Sequence, residues 1–205
     1  MSKENIGDEL DAVIRNRRKY AAFFDWPDKK IKEWDVVCEL LRSMHARDDY
    51  RYTNKVESVD GDWPDCVIRD SHGVQVGVEV TEFVDQKAVA MCERGNVEYR
   101  EWPDEAVREK ITQILKRKDE KAHHGGLYEK VILVIHTDED DLRSFRWFPI
   151  LDASVFPRPR NIDEAYFLCS YEPTLVDGVP DNAPLDDDPN PYPYARLKWD
   201  GVASI

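Results

Sequence analysis

The chain has 205 residues, enough for one domain with a core of its own, and 41% of them are hydrophobic. Its 42 acidic and 29 basic side chains leave a net charge of −13, which excludes a uniformly basic surface of the kind that coats nucleic-acid phosphates. No apolar run approaches the roughly 20 residues of a membrane-spanning helix, and the four cysteines stand far apart without a C-x-x-C, which argues against a membrane protein, a zinc ribbon or a disulfide scaffold. With no apolar or basic leader in residues 1–9, a cytoplasmic location is expected.

Glu4 to Phe24 places Ile6, Leu10, Val13, Ile14 and Phe24 at helical spacing and predicts a first helix. Trp26-Pro27-Asp28 opens a second, because proline suits a first turn. It runs to about Met44, with a stripe of Trp34, Val37, Cys38, Leu41 and Met44 widened by Val36 and Leu40. Tyr50 to Val59 alternates loosely and predicts a strand. Pro64–Asp70 and Val74–Thr81 are β-rich runs around Ser71-His72-Gly73, which predicts a hairpin with a bulged turn. Residues 85–101 point to no single element. A third helix starts after Trp102-Pro103-Asp104 and runs to about Ala122, ahead of Gly125-Gly126. The continuous apolar run Val131–Ile135 predicts a strand buried on both faces. Residues 142–156 are left without an element, and Ala165–Tyr171 predicts a last strand.

Beyond it, six of the 12 prolines fall between Pro173 and Pro193, around Asp186-Asp187-Asp188. That composition predicts a loop-like tail over 173–205, packed on or extending from the domain and dispensable for its fold. The expectation is a single α/β domain over 1–172, with a mixed central sheet flanked by helices and an extra N-terminal helix.

The three-residue turn sets the register of the hairpin. Ile68 should face Val76, Cys66 should face Val78, and Asp65 should face Glu79. One face is then Cys66, Ile68, Val74, Val76, Val78 and Val80, which is core. The other carries Asp65, Val67, Arg69, Gln75, Gly77, Glu79 and Thr81. Like charges directly across a strand pair repel, so Asp65 and Glu79 require a partner. A divalent cation would serve, and so would Arg69 or a lysine. Gly77 beside them either leaves room for a substrate backbone or marks a twist.

Two charged residues break their helical stripes. Glu33 lies four residues before Val37 and shares its face, at the rim of the core or turned to a site. Lys118 sits in the centre of the stripe Val107, Ile111, Ile114, Leu115 and Ala122, with Lys121 at its edge. A lysine there either snorkels past the sheet or meets a carboxylate, and Asp65 and Glu79 are the cluster expected near the sheet.

Pro64-Asp65, thirteen further residues and Glu79-Val80-Thr81 resemble the signature of the PD-(D/E)xK nuclease superfamily. The order helix, three strands, helix, strand over about 27–136 is similar to that family's αβββαβ restriction-endonuclease-like core. The resemblance implies a metal-dependent endonuclease that hydrolyses phosphodiester bonds. Asp65, Glu79 and the carbonyl of Val80 would hold Mg²⁺ or Mn²⁺, and Glu33 would match the helix glutamate of many members. The family lysine falls on Thr81; Lys118, supported by Lys121, would replace its amine. The implied partner is nucleic acid, DNA ahead of RNA, with assembly as a homodimer open. Basic stretches at 15–32, where seven Lys/Arg face two Asp, and at 108–121 would track the phosphates. The alternative is a degraded nuclease fold that acts without catalysis, as a binding or regulatory module or an acidic mimic of nucleic acid.

Overall fold

The structure, a computed structural model, describes residues 28–61, 63–95, 101–122, 128–139, 141–169 and 192–201. The helix expected over Glu4–Phe24, the Gly125-Gly126 stop and the proline-rich stretch up to 191 lie outside the described residues. Within them, the elements in chain order are α1 (Lys29–His45), β1 (Glu57–Ser58), β2 (Cys66–Arg69), β3 (Gln75–Glu82), α2 (Gln86–Glu93), α3 (Asp104–Asp119), β4 (Lys130–Thr137), α4 (Ser144–Ala153), β5 (Glu164–Cys169) and β6 (Tyr194–Arg196). None of these helices is long and apolar enough to cross a membrane.

The strands form one six-stranded mixed sheet in the order β1-β2-β3-β4-β5-β6. β1, β2 and β3 are antiparallel, β3, β4 and β5 are parallel, and β6 runs antiparallel to β5. Helices cover both faces, so the protein is α/β. α1 packs Val36, Val37, Leu40, Leu41 and Met44 onto Cys66, Ile68, Val76, Val78, Val80, Ile132 and Val134. α3 and α4 pack Val107, Ile111, Ile114, Leu115, Trp147 and Leu151 onto the opposite face, over Val131, Leu133, Ile135, Ala165 and Phe167. β4 supplies both cores in alternation, which is why its sequence reads as an unbroken apolar run.

Local chemistry starts and stops these helices. The side chain of Asp28 accepts the Lys30 N–H at 2.8 Å and caps α1. α3 carries Asp104 and Glu105 in its first turn and Lys116, Arg117 and Lys118 in its last, charges that complement the helix dipole at both ends.

Several sequence expectations are corrected. The strand expected over Tyr50–Val59 shrinks to Glu57–Ser58 and an isolated bridge from Tyr52 to Asp70. Asp49 accepts the Arg51 backbone N–H at 3.3 Å as well as its guanidinium, a local bond that competes with a regular ladder. Trp34 is 42% exposed and donates from Nε1 to the Val56 carbonyl, whereas Glu39 is buried against Arg42. Residues 144–153 form α4 despite Pro149, because Trp147 and Leu151 are fully enclosed and their burial outweighs the interior proline. The loop-like expectation for 173–205 does not hold at its far end. Tyr194–Arg196 extend the sheet, Leu197 is buried, and Trp199 bridges to Phe156.

A buried ionic hub ties that far edge together. Glu164 at the start of β5 accepts from Lys130 of β4 and from the Tyr166 hydroxyl, and pairs with Arg51 at 3.2 Å and Arg196 of β6 at 3.3 Å. Burial pushes the Glu164 carboxyl up, but the donors from Lys130 and Tyr166 outweigh it and leave the group below the usual glutamate range. A carboxyl held low contributes stability above its unfolded value and loses it as the pH falls through the folded one. Glu164→Gln should therefore cost about 2 kcal/mol at neutral pH, since Lys130 and Arg51 stay partly exposed, and the difference from wild type should shrink below about pH 4. Urea melts across that range check this; a pH-independent difference would contradict it. Deleting 192–205 should lower the melting temperature or cause aggregation, because it unpairs β5 and uncovers the Phe156 and Phe167 side of the core. A truncated chain that melts like the full one would show β6 to be dispensable.

Candidate functional site

The hairpin has the register that its turn length predicts. Asp70 donates to the Val74 carbonyl at 3.0 Å, Gly73 takes the left-handed conformation at φ 84°, and Cys66 pairs with Val78. Continuing the register one step places Asp65, just ahead of β2, opposite Glu79 in the middle of β3. Asp65 folds back onto its neighbour strand, where its Oδ2 accepts the Val80 N–H at 2.8 Å.

Glu79 points to the face covered by α3, and Lys118 reaches it there. Its Nζ donates to Glu79 Oε1 at 2.5 Å and to the Val80 carbonyl at 3.0 Å. Both partners are largely enclosed, with side-chain exposures of 16% for Lys118 and 9% for Glu79. The lysine in the centre of an apolar stripe is thus a paired group, not a snorkel. Arg69 does not neutralise the carboxylates; it donates to the Gly73 carbonyl at the other end of the hairpin.

Glu79 Oε2 is buried and has no hydrogen-bond partner among the described residues. Burial pushes the Glu79 carboxyl above the usual glutamate range; Lys118 opposes this, and the charge of Asp65 adds to it. Glu33 comes from α1 to the same place. It is buried, pairs with Lys29 at 2.9 Å and feels the charge of Asp65. Its carboxyl is also raised, first by burial and then by Asp65, against the pull of Lys29. The ammonium of Lys29 in turn feels Glu33, Asp65 and Glu79 and is raised above the usual lysine value.

Three carboxylates and two amines therefore gather where α1, the β2–β3 hairpin and α3 meet. Thr81 is buried on the Glu79 face, beside Ile135 of β4. Lys121 is exposed beyond the end of α3. Gly77 does not leave an open channel, because a Cβ there would meet Tyr128 at 3.4 Å and Pro64 at 3.5 Å. Cys66, adjacent to Asp65, is no thiolate nucleophile; burial pushes its thiol up to about 12.

Sequence reasoning missed Lys29, although a lysine four residues ahead of Glu33 on one helix was a legible signal. It missed Glu164 altogether, because a glutamate at a strand start looks solvated until the three cations from other segments are in place.

Among the described residues no three His, Cys, Asp or Glu side chains form a metal-binding group. The oxygens that fit a hard cation are the unpartnered Glu79 Oε2, the remaining oxygen of Asp65 and the Val80 carbonyl, which now accepts from Lys118. Comparison with protein-family models, curated proteins and solved structures finds no match to this chain.

A raised carboxyl pKa has a definite consequence for stability. The contribution of Glu79 is complete below the unfolded glutamate value and is lost as the pH rises through its higher folded one. Glu79→Gln should therefore gain on wild type as the pH is raised from about 4 to about 7. Thermal melts of the two proteins that run parallel over that range would show that ionised Glu79 carries no folding penalty.

Proposed function

We propose that the chain is a metal-dependent nuclease with a restriction-endonuclease-like αβββαβ core, and that Asp65, Glu79 and Lys118 form its active centre. The observation that carries this is the meeting of Lys118 with Glu79 and the Val80 carbonyl, on the strand that also anchors Asp65. A nuclease of this type needs two carboxylates and an amine on one patch. The amine missing at Thr81 is supplied here from α3.

Asp65 and Glu79, with the Val80 carbonyl, would hold Mg²⁺ or Mn²⁺. The bound cation would polarise the scissile phosphate and lower the pKa of a water. Lys118 would face the negative charge that builds on the phosphate oxygens, at little reorganisation cost because its ammonium is already fixed by two acceptors. Glu33 and Lys29 would steady Asp65 from the opposite helix. Their mutual pair holds one carboxylate of the cluster in place while the other stays available.

The non-catalytic alternative also has an observation in its favour: Lys118 already occupies Glu79 Oε1 and the Val80 carbonyl, a closed arrangement that neutralises the carboxylates without a metal. Two variants separate the readings. Lys118→Met keeps the length and apolar stem; in a nuclease it should lower Mn²⁺-dependent cleavage of DNA by about 100-fold or more while leaving calorimetric Mn²⁺ binding in place. Asp65→Ala should abolish both. A Lys118→Met protein that cuts as fast as wild type removes Lys118 from the chemistry. If wild type neither cuts DNA or RNA nor binds Mn²⁺, the non-catalytic reading stands.

A further inference from the structure

The loop between α4 and β5 lies against the last turns of α3. Asp119 accepts the N–H groups of Arg160 and Asn161 at 3.1 and 2.6 Å, and Asp200 accepts the N–H of Arg158 at 2.8 Å. Between loop and helix runs a groove of about 220 Å³, lined by Thr112, Leu115, Lys116, Pro157, Arg158 and Pro159, with Asp119 at its side. Its floor is apolar, and two cations stand at its rim. Arg160 follows two residues along the loop, just outside the lining.

These cations differ from those of α1. On α1 the lysines are taken: Lys29 pairs with Glu33, Lys30 with Asp60 and Lys32 with Glu82. The side chains of Lys116, Arg158 and Arg160 are exposed and, among the described residues, have no carboxylate partner. Asp119, the acid of the groove lining, spends both oxygens on the loop backbone. In a chain of net charge −13, carboxylates are in excess, and cations on α3 and on the pinned loop that have no carboxylate partner among the described residues are poised for an anion from outside.

We infer that this groove seats an unpaired stretch of nucleic acid, with phosphates on Lys116, Arg158 and Arg160 and a sugar or base against Leu115 and the two prolines. The inference rests on the nucleic-acid partner of the nuclease proposal and adds the form of that partner. A groove this size takes about one nucleotide and cannot admit a duplex, whose bases are already stacked. An isolated anion would need no apolar floor.

The test is anisotropy of a labelled oligothymidylate of about 15 nucleotides, titrated with the full chain in EDTA over a salt series, so that no cleavage enters. Wild type should bind with a steep salt dependence. Arg158→Glu and Lys116→Glu, both at exposed positions and checked by thermal melts, should each weaken binding about tenfold or more and flatten the salt slope. Arg158→Gln should fall between Arg158→Glu and wild type. Unchanged binding in the charge reversals overturns the inference, as does a wild type that fails to bind at low salt. A duplex that binds as tightly as the single strand overturns the assignment to unpaired nucleotides, and polyglutamate that competes as well as the oligonucleotide overturns the phosphate partner. Loss of binding in the groove variants without any metal-dependent cleavage leaves the groove standing and the nuclease proposal fallen. Cleavage with unaffected binding does the reverse.

Discussion

A carboxylate in the middle of a buried strand cannot be left alone, and the way Glu79 is satisfied governs how α3 lies on the sheet. Water is largely excluded at Glu79, so its charge requires a donor from the protein. Lys118 provides one, and its second bond to the Val80 carbonyl fixes the helix along β3 as well as across it. The apolar residues of the same stripe, Ile111, Ile114 and Leu115, then pack onto that same face of the sheet. Packing and charge pairing thus specify one placement. A buried pair of this kind adds little net stability, because desolvation offsets most of the attraction. What it supplies is a fixed placement of α3 along β3.

A second buried carboxylate does comparable work at the far edge. Glu164 draws Lys130, Arg51 and Arg196 from three separate segments and takes the Tyr166 hydroxyl as well. The two sites behave oppositely. Glu164 has enough donors to hold its carboxyl low, whereas Glu79 has one amine, a neighbouring Asp65 and an unpartnered oxygen, and is pushed high. An oversatisfied carboxylate is a structural fastener. An undersatisfied one beside a second acid is a group with capacity for a further ligand.

The hairpin was legible because period-two alternation and a three-residue turn leave a single register, and from it the opposition of Asp65 and Glu79 follows. Lys118 was legible as a polar residue in an apolar stripe. The strand at 50–59 was misjudged because its alternation is loose and Asp49 and Arg51 satisfy each other locally. α4 was missed because Pro149 argues against a helix, and only the space around Trp147 shows why one forms. β6 was hidden by the prolines around it, since a three-residue edge strand carries almost no pattern of its own.

By itself the sequence determined the α/β class within the described residues, the two faces of the hairpin, the position of the buried strand β4 and the residues that violate their own patterns. These are local properties, set by periodicity and turn geometry within a few residues. Which groups meet was decided only by the tertiary structure: Lys118 with Glu79, 39 positions away; Lys130 with Glu164, 34 away; and Asp119 with the loop at Arg160 and Asn161, 41 and 42 away. No local rule encodes such contacts. They arise when the apolar faces of separate elements are buried together, and the charges carried on those elements must then find partners among whatever that burial has brought near.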